Sequence, residues 1–396
     1  MTHVLILNIP ASGHVQPTLG VVEELVRRGH RVTYAAAGRY LDDAADAGAE
    51  VLPYETTLDP QTIVPAEAEN WLARVLIGSV RAGGEIAPAV LAHFAGGRPP
   101  DVVAYDISMQ FLGRVLARLW DRPAVQFYPV SANRQQYGEA ELGRADLDLL
   151  RREYVGLAAA HGVHGTFEEL NNDSGVANVV FLAREFQFRG DTFAEPEWTF
   201  VGPCVRGRDR ETDWRPPADG RRVVLISLGT TYNTQPEFFG TCAAAFADLP
   251  WHVVMTVGNL DPAAVGPVPP NVELHPWVPI QAFLDPAAVL VCHGGWGTVM
   301  HALFAGTPMV VVPQIGESDE AAAQVADLGL GQVLRPGEVT AEVLRDAVVR
   351  LADDADVAAS VARLQRAVRT AGGAAKAVDR ILGHAIPSPV VHLRSA

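Results

Sequence analysis

One short stretch of the sequence combines glycines, a histidine and a threonine in a pattern suited to holding an anion. His293-Gly-Gly-Trp-Gly-Thr298 follows the apolar run Val289–Cys292 and precedes the apolar-periodic segment Val299–Ala305. The pattern predicts a buried strand, a tight glycine turn and a helix that begins inside the motif. Free N–H groups and the positive end of the helix dipole would face a ligand there, with His293 and Thr298 as side-chain donors. Close packing of strand against helix is the alternative explanation of the glycines.

A second group of polar residues follows predicted strands in the first half of the chain. His14 comes after the apolar run Val4–Leu7, and Asp106 directly follows the segment Asp101–Tyr105. A histidine at a strand end can act as a general base near neutral pH, and a neighbouring carboxylate would orient its ring and stabilise the imidazolium. Each residue also has an ordinary explanation. His14 would be a plain loop histidine, and Asp106 would cap the next helix, a role that Ser108 could share.

Composition favours a small-molecule substrate over nucleic acid or an anionic membrane. The chain has 396 residues, of which 48% are hydrophobic and 19% charged, and its formal net charge is −15. Binding to such polyanions depends on clustered Lys and Arg, which this acidic balance disfavours. The three cysteines, Cys204, Cys242 and Cys292, form no CxxC pair and are expected to be reduced, buried small side chains.

The sequence offers no signal peptide and no uninterrupted apolar stretch near the length of a bilayer span. The N-terminus lacks a basic region, and its apolar run breaks at Pro10. These features predict a cytoplasmic enzyme without a membrane span. A membrane-associated acceptor stays open.

The order of apolar runs predicts an α/β protein of two similar halves. Short β-branched runs alternate with helix-period segments through residues 1–205, and the alternation restarts in residues 221–375. The polar, Pro-rich residues 206–220 read as a linker, and residues 376–396 as a C-terminal helix and tail that can pack back on the first half. Two such halves would face each other across a cleft, with ligands at the carboxyl ends of their parallel strands.

Five motifs follow one another in order across both halves of the chain. They are Gly13-His-Val-Gln-Pro17, Asp106, Ser227-Leu-Gly-Thr230, Trp277-Val-Pro279, and His293-Gly-Gly-Trp-Gly-Thr298 with Pro313-Gln314 downstream. With these motifs the chain resembles the GT-B glycosyltransferases of family 1, and most closely the pattern of actinobacterial macrolide glycosyltransferases, over nearly its whole length. The resemblance implies the GT-B fold, with two Rossmann-like domains that each have a central parallel sheet.

The resemblance implies an inverting transfer of a sugar from a dTDP- or UDP-linked donor to a hydroxyl of a hydrophobic natural product such as a macrolide. His14 would take the acceptor proton, and Asp106 would hold its ring. The nucleotide sugar and the small-molecule acceptor would be the partners, with no metal, no further cofactor and no nucleic acid. A monomer or a homodimer is expected.

The resemblance also assigns donor and acceptor contacts. Trp277 would stack on the nucleobase, with a core tryptophan as the alternative, and the Val278 backbone would read the base edge. The diphosphate set is Gly229, Thr230, His293, Gly295, Gly297 and Thr298; His301 would meet the ribose and Glu317 and Ser318 the donor sugar; Ser12, Met109, Phe111 and Tyr128 would contact the acceptor.

Departures from the family pattern bear on the choice of donor. The family commonly has glutamate eight residues after the motif histidine and glutamine three after the tryptophan, whereas this chain has His301 and Ile280, with Gln281 one step later. Both changes touch the nucleoside sugar. They favour a donor without the ribose 2′-hydroxyl, unless neighbouring groups compensate for UDP. Glu317-Ser318 replaces the usual Asp-Gln pair, which favours a deoxy or amino sugar over glucose.

The sequence gives less support to metal binding and to other classes of function. Asp146-Leu-Asp148 matches the metal-binding DxD pattern in letters but lies in the predicted helix Glu139–Tyr154, and His161 and His164 lack a third ligand. A NAD-dependent oxidoreductase would need G-x-G-x-x-G after the first strand. A nucleotide-sugar epimerase of GT-B fold is the main alternative, and a binding module without chemistry is the third class.

Overall fold

The computed structural model describes residues 1–58, 70–132, 139–230, 234–314 and 316–385, and the chain divides into two units. The side chains of Glu139, Gly316 and Glu317 also lie outside the description. The first unit comprises Met1–Phe181, Asp191–Cys204 and Gly372–Ala396, and the second comprises Leu182–Gly190 and Val205–Ala371.

A seven-stranded sheet in the order β3-β2-β1-β4-β5-β6-β7 forms the centre of the first unit. All neighbouring strands are parallel, so their carboxyl ends lie at one edge. Side chains alternate between two cores: Val4 and Ile6 of β1 face one, and Leu5 and Leu7 face the other. The strands are β1 His3–Leu7, β2 Arg31–Ala36, β3 Glu50–Pro53, β4 Val102–Asp106, β5 Ala124–Tyr128, β6 Ala177–Val180 and β7 Trp198–Phe200.

Helices cover both faces of this sheet, as a parallel sheet with two apolar faces requires. They are α1 Ser12–Arg27, α2 Tyr40–Asp46, α3 Trp71–Phe94, α4 Gln110–Trp120, α5 Glu139–Leu142, α6 Arg144–Ala160 and α7 Phe167–Asn171. The predicted helix Glu139–Tyr154 is therefore two helices, because Gly143 adopts φ +76° between them.

The second unit repeats this architecture with a six-stranded parallel sheet in the order β10-β9-β8-β11-β12-β13. Its strands are β8 Arg222–Ser227, β9 Trp251–Thr256, β10 Val272–His275, β11 Ala287–Cys292, β12 Met309–Val311 and β13 Gly331–Val333. Its helices are α8 Pro236–Ala245, α9 Pro262–Val265, α10 Ile280–Leu284, α11 Trp296–Ala305, α12 Gly316–Asp327, α13 Ala341–Ala352 and α14 Ala355–Thr370. The predicted α/β class with one parallel sheet in each half is confirmed.

Residues 206–220, predicted as a linker, lie against the second unit. Trp214 stacks on Phe283 with ring centroids 4.3 Å apart, and its indole N–H donates to Glu273 at 3.0 Å. Arg206 pairs with Asp209 around a short 3-10 helix, Gly207–Arg210. The segment is therefore anchored by specific contacts, although its composition suggested only a linker.

The last helix, α15 (Gly373–Ala385), belongs to the first unit. Its apolar face buries Ala377, Val378 and Ile381 in the same core as α1. Arg28 of α1 contacts Asp379 at 2.5 Å at the edge of this packing. The predicted tail, residues 386–396, lies outside the described residues.

Helix α3 bears on the expectation that the chain has no membrane span. Its 24 residues are long and apolar enough to cross a bilayer by length and composition alone. Half of its most apolar window is nevertheless buried inside the protein, where Ile86 and Val90 belong to a core cluster beneath the sheet. A core helix meets the same length and composition criteria as a membrane span, so this helix is weak evidence for one.

Candidate active site

His14 lies in the first turn of α1, directly after strand β1. The sequence suggested a loop there and a helix starting later, but α1 begins at Ser12 and continues through Pro17. The ring Nδ1 of His14 lies 3.0 and 2.9 Å from the two carboxylate oxygens of Asp106. The His14 side chain is 20% exposed and that of Asp106 is fully buried. Asp106 therefore orients a ring that keeps access to solvent.

Asp106 makes both a capping contact and a contact with His14, although it caps a 3-10 turn and not the following α-helix. It ends β4 and caps the 3-10 turn Ile107–Met109, because its Oδ1 accepts from the backbone N–H of Ser108 at 2.8 Å. The same carboxylate bonds His14. The N–H of Ser108 holds the carboxylate in place, and the carboxylate in turn accepts from His14 Nδ1–H. Nε2 of the neutral ring therefore carries the lone pair.

The glycine turn of the second unit has the geometry of an anion cradle. Gly294 has φ +85°, which L side chains rarely adopt, and a Cβ there would lie 2.9 Å from a methyl of Val311. Helix α11 then begins at Trp296 with Gly295 as its N-cap and no side-chain cap. The first N–H groups of α11, including those of Gly297 and Thr298, therefore have no intrahelical acceptor and can donate to a ligand.

The His293 ring lies between two glycines at the end of β11. A Cβ at Gly229 would lie 2.6 Å from its Cε1, and one at Gly295 would lie 2.5 Å from its Nε2. Burial lowers the pKa of His293 to about 4, partly opposed by a hydrogen bond with the Ser227 backbone. The ring is therefore neutral at pH 7 before a ligand binds. Thr230, after Gly229, is exposed.

Trp277 presents its indole to solvent in the loop between β10 and α10. It is 69% exposed, which excludes the alternative of a core tryptophan and leaves a face on which a planar ring can stack. Val278 is 4% exposed, so its side chain anchors the loop.

His301, where the sequence departs from the family pattern, contacts Gln281, the glutamine that lies one residue after the expected position. His301 Nδ1 lies 3.1 Å from Gln281 Oε1, and Gln281 Nε2 donates to Asp285 at 2.9 Å. Because this amide oxygen only accepts, Nδ1 carries the proton and Nε2 the lone pair. Burial lowers the pKa of His301, with Asp209 opposing and Arg206 reinforcing the shift. His301 is therefore neutral, and its Nε2 is the single ring atom that can accept a hydrogen bond.

The two residues predicted for the donor sugar lie at the start of α12. Ser318 is 4% exposed and its carbonyl would lie 3.2 Å from a Cβ at Gly294, so it packs against the glycine turn. Glu317 lies in the same helix, and its side chain lies outside the described residues.

Of the residues predicted to contact the acceptor, three are core residues. Met109 and Phe111 are each 1% exposed and Tyr128 is 2% exposed, so they offer no surface to an acceptor in this conformation. Phe111 packs on Tyr154, and Tyr128 packs on Trp198 and accepts from Gln126. Ser12 is half-buried at the start of α1.

Known proteins resemble this chain over nearly its whole length. Residues 241–380 match the family model of the erythromycin biosynthesis protein CIII-like C-terminal domain. The demethyllactenocin mycarosyltransferase of Streptomyces fradiae is 36% identical over 412 aligned positions, which cover 98% of this chain and 87% of that protein. The oleandomycin glycosyltransferase of Streptomyces antibioticus is 34% identical and covers 96% of this chain and 90% of its own length. The chain belongs to the GT-B natural-product glycosyltransferases.

A solved structure supports the fold of this glycosyltransferase. The crystal structure of CalG4, the calicheamicin glycosyltransferase, is 39% identical, with a TM-score of 0.85 over 97% of this chain and 98% of that one. These relatives are named for sugar transfer, so the alternative of a nucleotide-sugar epimerase is not favoured.

The two aspartates of the DxD-like sequence in the glycosyltransferase contact neighbouring polar side chains at or near the surface. Asp146 accepts from Asn70 at 3.2 Å, and Asp148 lies 3.9 Å from Arg151. Across the part of the chain that the structure describes, no three His, Cys, Asp or Glu side chains are grouped so that they could hold a metal ion.

Sequence reasoning passed over Asn8, which donates to the backbone carbonyl of His14 at 3.0 Å. The available signal was a polar residue directly after the apolar run Val4–Leu7.

The sequence patterns also did not point to Phe186, whose ring packs edge-on against Trp296 at 6.1 Å between centroids. Nothing in the local pattern around Phe186 predicts that contact.

Proposed function

We propose that this enzyme transfers a sugar, with inversion at the anomeric carbon, from a nucleoside diphosphate to a hydroxyl of a hydrophobic natural product. The observation that carries the proposal is the contact of His14 Nδ1 with both oxygens of the buried Asp106 carboxylate, at 3.0 and 2.9 Å. This arrangement suits a general base, because the carboxylate fixes the tautomer and stabilises the imidazolium that forms.

In the proposed step, His14 Nε2 takes the proton of the acceptor hydroxyl as its oxygen forms a bond to the anomeric carbon. The bond from that carbon to the diphosphate oxygen breaks, and the electron pair leaves with the nucleoside diphosphate. In-line displacement inverts the carbon. The charge that collects on the leaving diphosphate would be stabilised by the first N–H groups of α11 and by His293, which can take up a proton when the anion binds.

We propose dTDP rather than UDP as the donor nucleotide. A carboxylate at position 301 could accept from both ribose hydroxyls, whereas neutral His301, with Nδ1–H bonded to Gln281, has one lone pair. One acceptor suits a 2′-deoxyribose, whose 3′-hydroxyl is the remaining donor. The short, buried Ser318 favours a deoxy or amino sugar over glucose.

For the acceptor, the names of the relatives favour a macrolide or another polyketide. We also propose that the enzyme acts in the cytoplasm as a monomer or homodimer, without a metal or further cofactor. Support for a reducing compartment comes from Cys204, Cys242 and Cys292, which are buried free thiols.

Two measurements test the donor assignment. Calorimetric competition between dTDP and UDP on the wild type should show tighter binding of dTDP, and His301→Glu should shift the ratio toward UDP by about tenfold, the value of one good hydrogen bond to a charged group. His164→Glu, an exposed change of the same charge in the first unit, should leave the ratio unchanged. A wild-type preference for UDP would overturn the 2′-deoxy assignment.

The sugar transfer itself is tested by mass spectrometry of the purified enzyme with dTDP- and UDP-sugars and with macrolide, other polyketide and flavonoid acceptors. We expect a glycosylated macrolide or polyketide. Isomerisation of the nucleotide sugar with no transfer to any acceptor would point instead to an epimerase.

A further inference from the structure

A buried polar cluster lies beneath the first turn of α1, and the proposed mechanism does not use it. It consists of Asn8 at the end of β1, Thr18 in α1, Tyr34 in β2 and Tyr54 after β3. Their exposed fractions are 1%, 0%, 0% and 6%. Polar side chains in such a place destabilise the fold unless they are hydrogen-bonded, and each of these four is bonded to another member or to the backbone.

Asn8 is the centre of this cluster. Its Nδ2 donates to the backbone carbonyl of His14 at 3.0 Å and to the hydroxyl of Tyr34 at 3.0 Å. Its Oδ1 accepts from the N–H of Ile9 at 2.8 Å, and its own carbonyl accepts from the Tyr54 hydroxyl at 2.6 Å. The amide is therefore held from several sides, and its orientation is set by the strand that carries it.

A second branch of the cluster reaches the next carbonyl of α1. Thr18 Oγ1 donates to the carbonyl of Val15 at 2.7 Å, and it lies 2.7 Å from the Tyr34 hydroxyl. Because the threonine proton is used on Val15, the tyrosine donates to the threonine. Burial raises the pKa of Tyr34, so its hydroxyl keeps its proton and remains a donor. The carbonyl of His14 is thus bonded directly by Asn8 from outside the helix, and the carbonyl of Val15 is bonded by Thr18 of α1, whose hydroxyl is in turn bonded to Tyr34 in the sheet.

The bonds of this cluster matter because the first turn of α1 is weak on its own. Pro17 lies inside the helix and has no N–H, so the carbonyl of Gly13 lacks the usual helical bond. Ala11, the N-cap, provides no side-chain cap either. The turn that carries His14 therefore depends on partners outside the helix.

We propose that Asn8, Thr18 and Tyr34 are positioning residues that fix the backbone of His14. This inference rests on the proposed role of His14 as base. Asp106 on β4 fixes the imidazole ring, and Asn8, directly after β1 and bonded to Tyr34 on β2, fixes the backbone from which the ring projects. With both ends held, Nε2 points in one direction; with only the ring held, the turn can shift and carry Nε2 out of line with the acceptor hydroxyl.

The test compares two variants that each remove one hydroxyl, Tyr34→Phe and Thr18→Val, by steady-state kinetics over a range of pH. We expect kcat to fall about tenfold in each, since sub-ångström misplacement of a reacting group is costly, with KM for donor and acceptor within about twofold. The midpoint of the acid limb of kcat/KM should move to lower pH, because a shifted His14 makes a weaker bond to Asp106. The double variant should lose little more than either single variant, because both hydroxyls act in one chain.

Tyr154→Phe is the matched control. Tyr154 is fully buried in the first unit, and its hydroxyl donates to the carbonyl of Leu170 at 2.9 Å, away from α1. Its loss should lower the thermal midpoint as much as Tyr34→Phe does and leave kcat and the pH profile unchanged.

The outcomes separate this inference from the proposed function. If His14→Ala is inactive while Tyr34→Phe and Thr18→Val keep the wild-type kcat and pH profile, the cluster is structural only and the inference is wrong. If His14→Ala retains turnover, the assignment of the base is wrong instead. A variant that does not fold is replaced by the other, since either hydroxyl alone tests the chain.

Discussion

At the scale of single residues, His14 and Asp106 depend on each other. Each had an ordinary explanation in the sequence, as a loop histidine and as a helix cap, and only the fold brings the two side chains to 2.9 Å. The cap proved to be part of the arrangement, since it holds the carboxylate that holds the imidazole. Residue types and strand ends were enough to nominate both, because the carboxyl ends of parallel strands meet at one edge.

Asp106→Asn should lower kcat by a factor on the order of 10² to 10⁴, because the amide Oδ1 can still accept from Ser108 while its N–H₂ forces the wrong tautomer on His14. The melting temperature should change little, since the cap survives. The measurement is kcat beside a thermal melt. A large melting loss with retained specific activity would return Asp106 to a purely structural role.

The pairing of His301 with Gln281 marks the limit of sequence reasoning at this scale. Along the chain His301 and the displaced glutamine appeared as unrelated features, 20 positions apart, and the contact between them depends on α10 packing against α11. The burial of Met109, Phe111 and Tyr128, which were predicted to contact the acceptor, could not be foreseen for a related reason. The pattern placed them near strand ends but could not tell which face of the element they occupy.

At the scale of elements, the glycine turn before α11 could be predicted because glycines readily adopt the backbone conformation that the turn requires. The start of α1 could not. Gly13 and Pro17 both argue locally against a helix, yet α1 begins at Ser12 because Val15, Leu19 and Val22 pack into the core and the Asn8 cluster holds the first turn. Tertiary contacts outweighed local preference there.

Gly295→Ala should weaken the binding of the nucleoside diphosphate by about tenfold or more, because the added methyl would lie 2.5 Å from His293 Nε2 and must displace the ring or the turn. Gly240→Ala in α8 is the control, since its Cβ would meet its nearest neighbour at 3.6 Å. Isothermal titration of the nucleotide against both variants decides the matter. If Gly295→Ala and the wild type bind the nucleotide with equal affinity, the turn is not part of the diphosphate site.

At the scale of the whole molecule, composition and the alternation of strands and helices predicted two α/β units, a division near residue 205 and a C-terminal helix that packs back on the first half, but not the assignment of Leu182–Gly190 to the second unit. Leu182–Gly190 belongs to the second unit and Gly372–Ala396 to the first. Phe186 packs against Trp296 and Ile381 enters the core behind α1, contacts between residues far apart in sequence that no local pattern encodes.

The pH dependence of the free energy of unfolding of the second unit should reflect the lowered pKa of His293. Its pKa of about 4 in the fold lies below the ordinary value of 6.5, so the unfolded chain binds the proton more readily. Above pH 6.5 the ring is neutral in both states and the fold keeps its full stability in this respect. That stability falls as the pH falls toward 4, because the unfolded chain takes up the proton first. Between pH 7 and 4.5 the wild type should lose about 2 kcal/mol more free energy of unfolding than His293→Gln, which has no proton to gain. Denaturant unfolding at both pH values measures this, and parallel losses in the two proteins would show that the ring is not neutral by burial.

The most direct test of the account is to measure sugar transfer and donor affinity together for His14→Ala. With a donor and acceptor on which the wild type is active, mass spectrometry should detect no transfer above background in the variant. Calorimetry should give nearly the wild-type affinity for the nucleoside diphosphate, because the proposed cradle lies on α11 and not on α1. Wild-type turnover in the variant would contradict the assignment of His14 as the base, and with it the proposed mechanism.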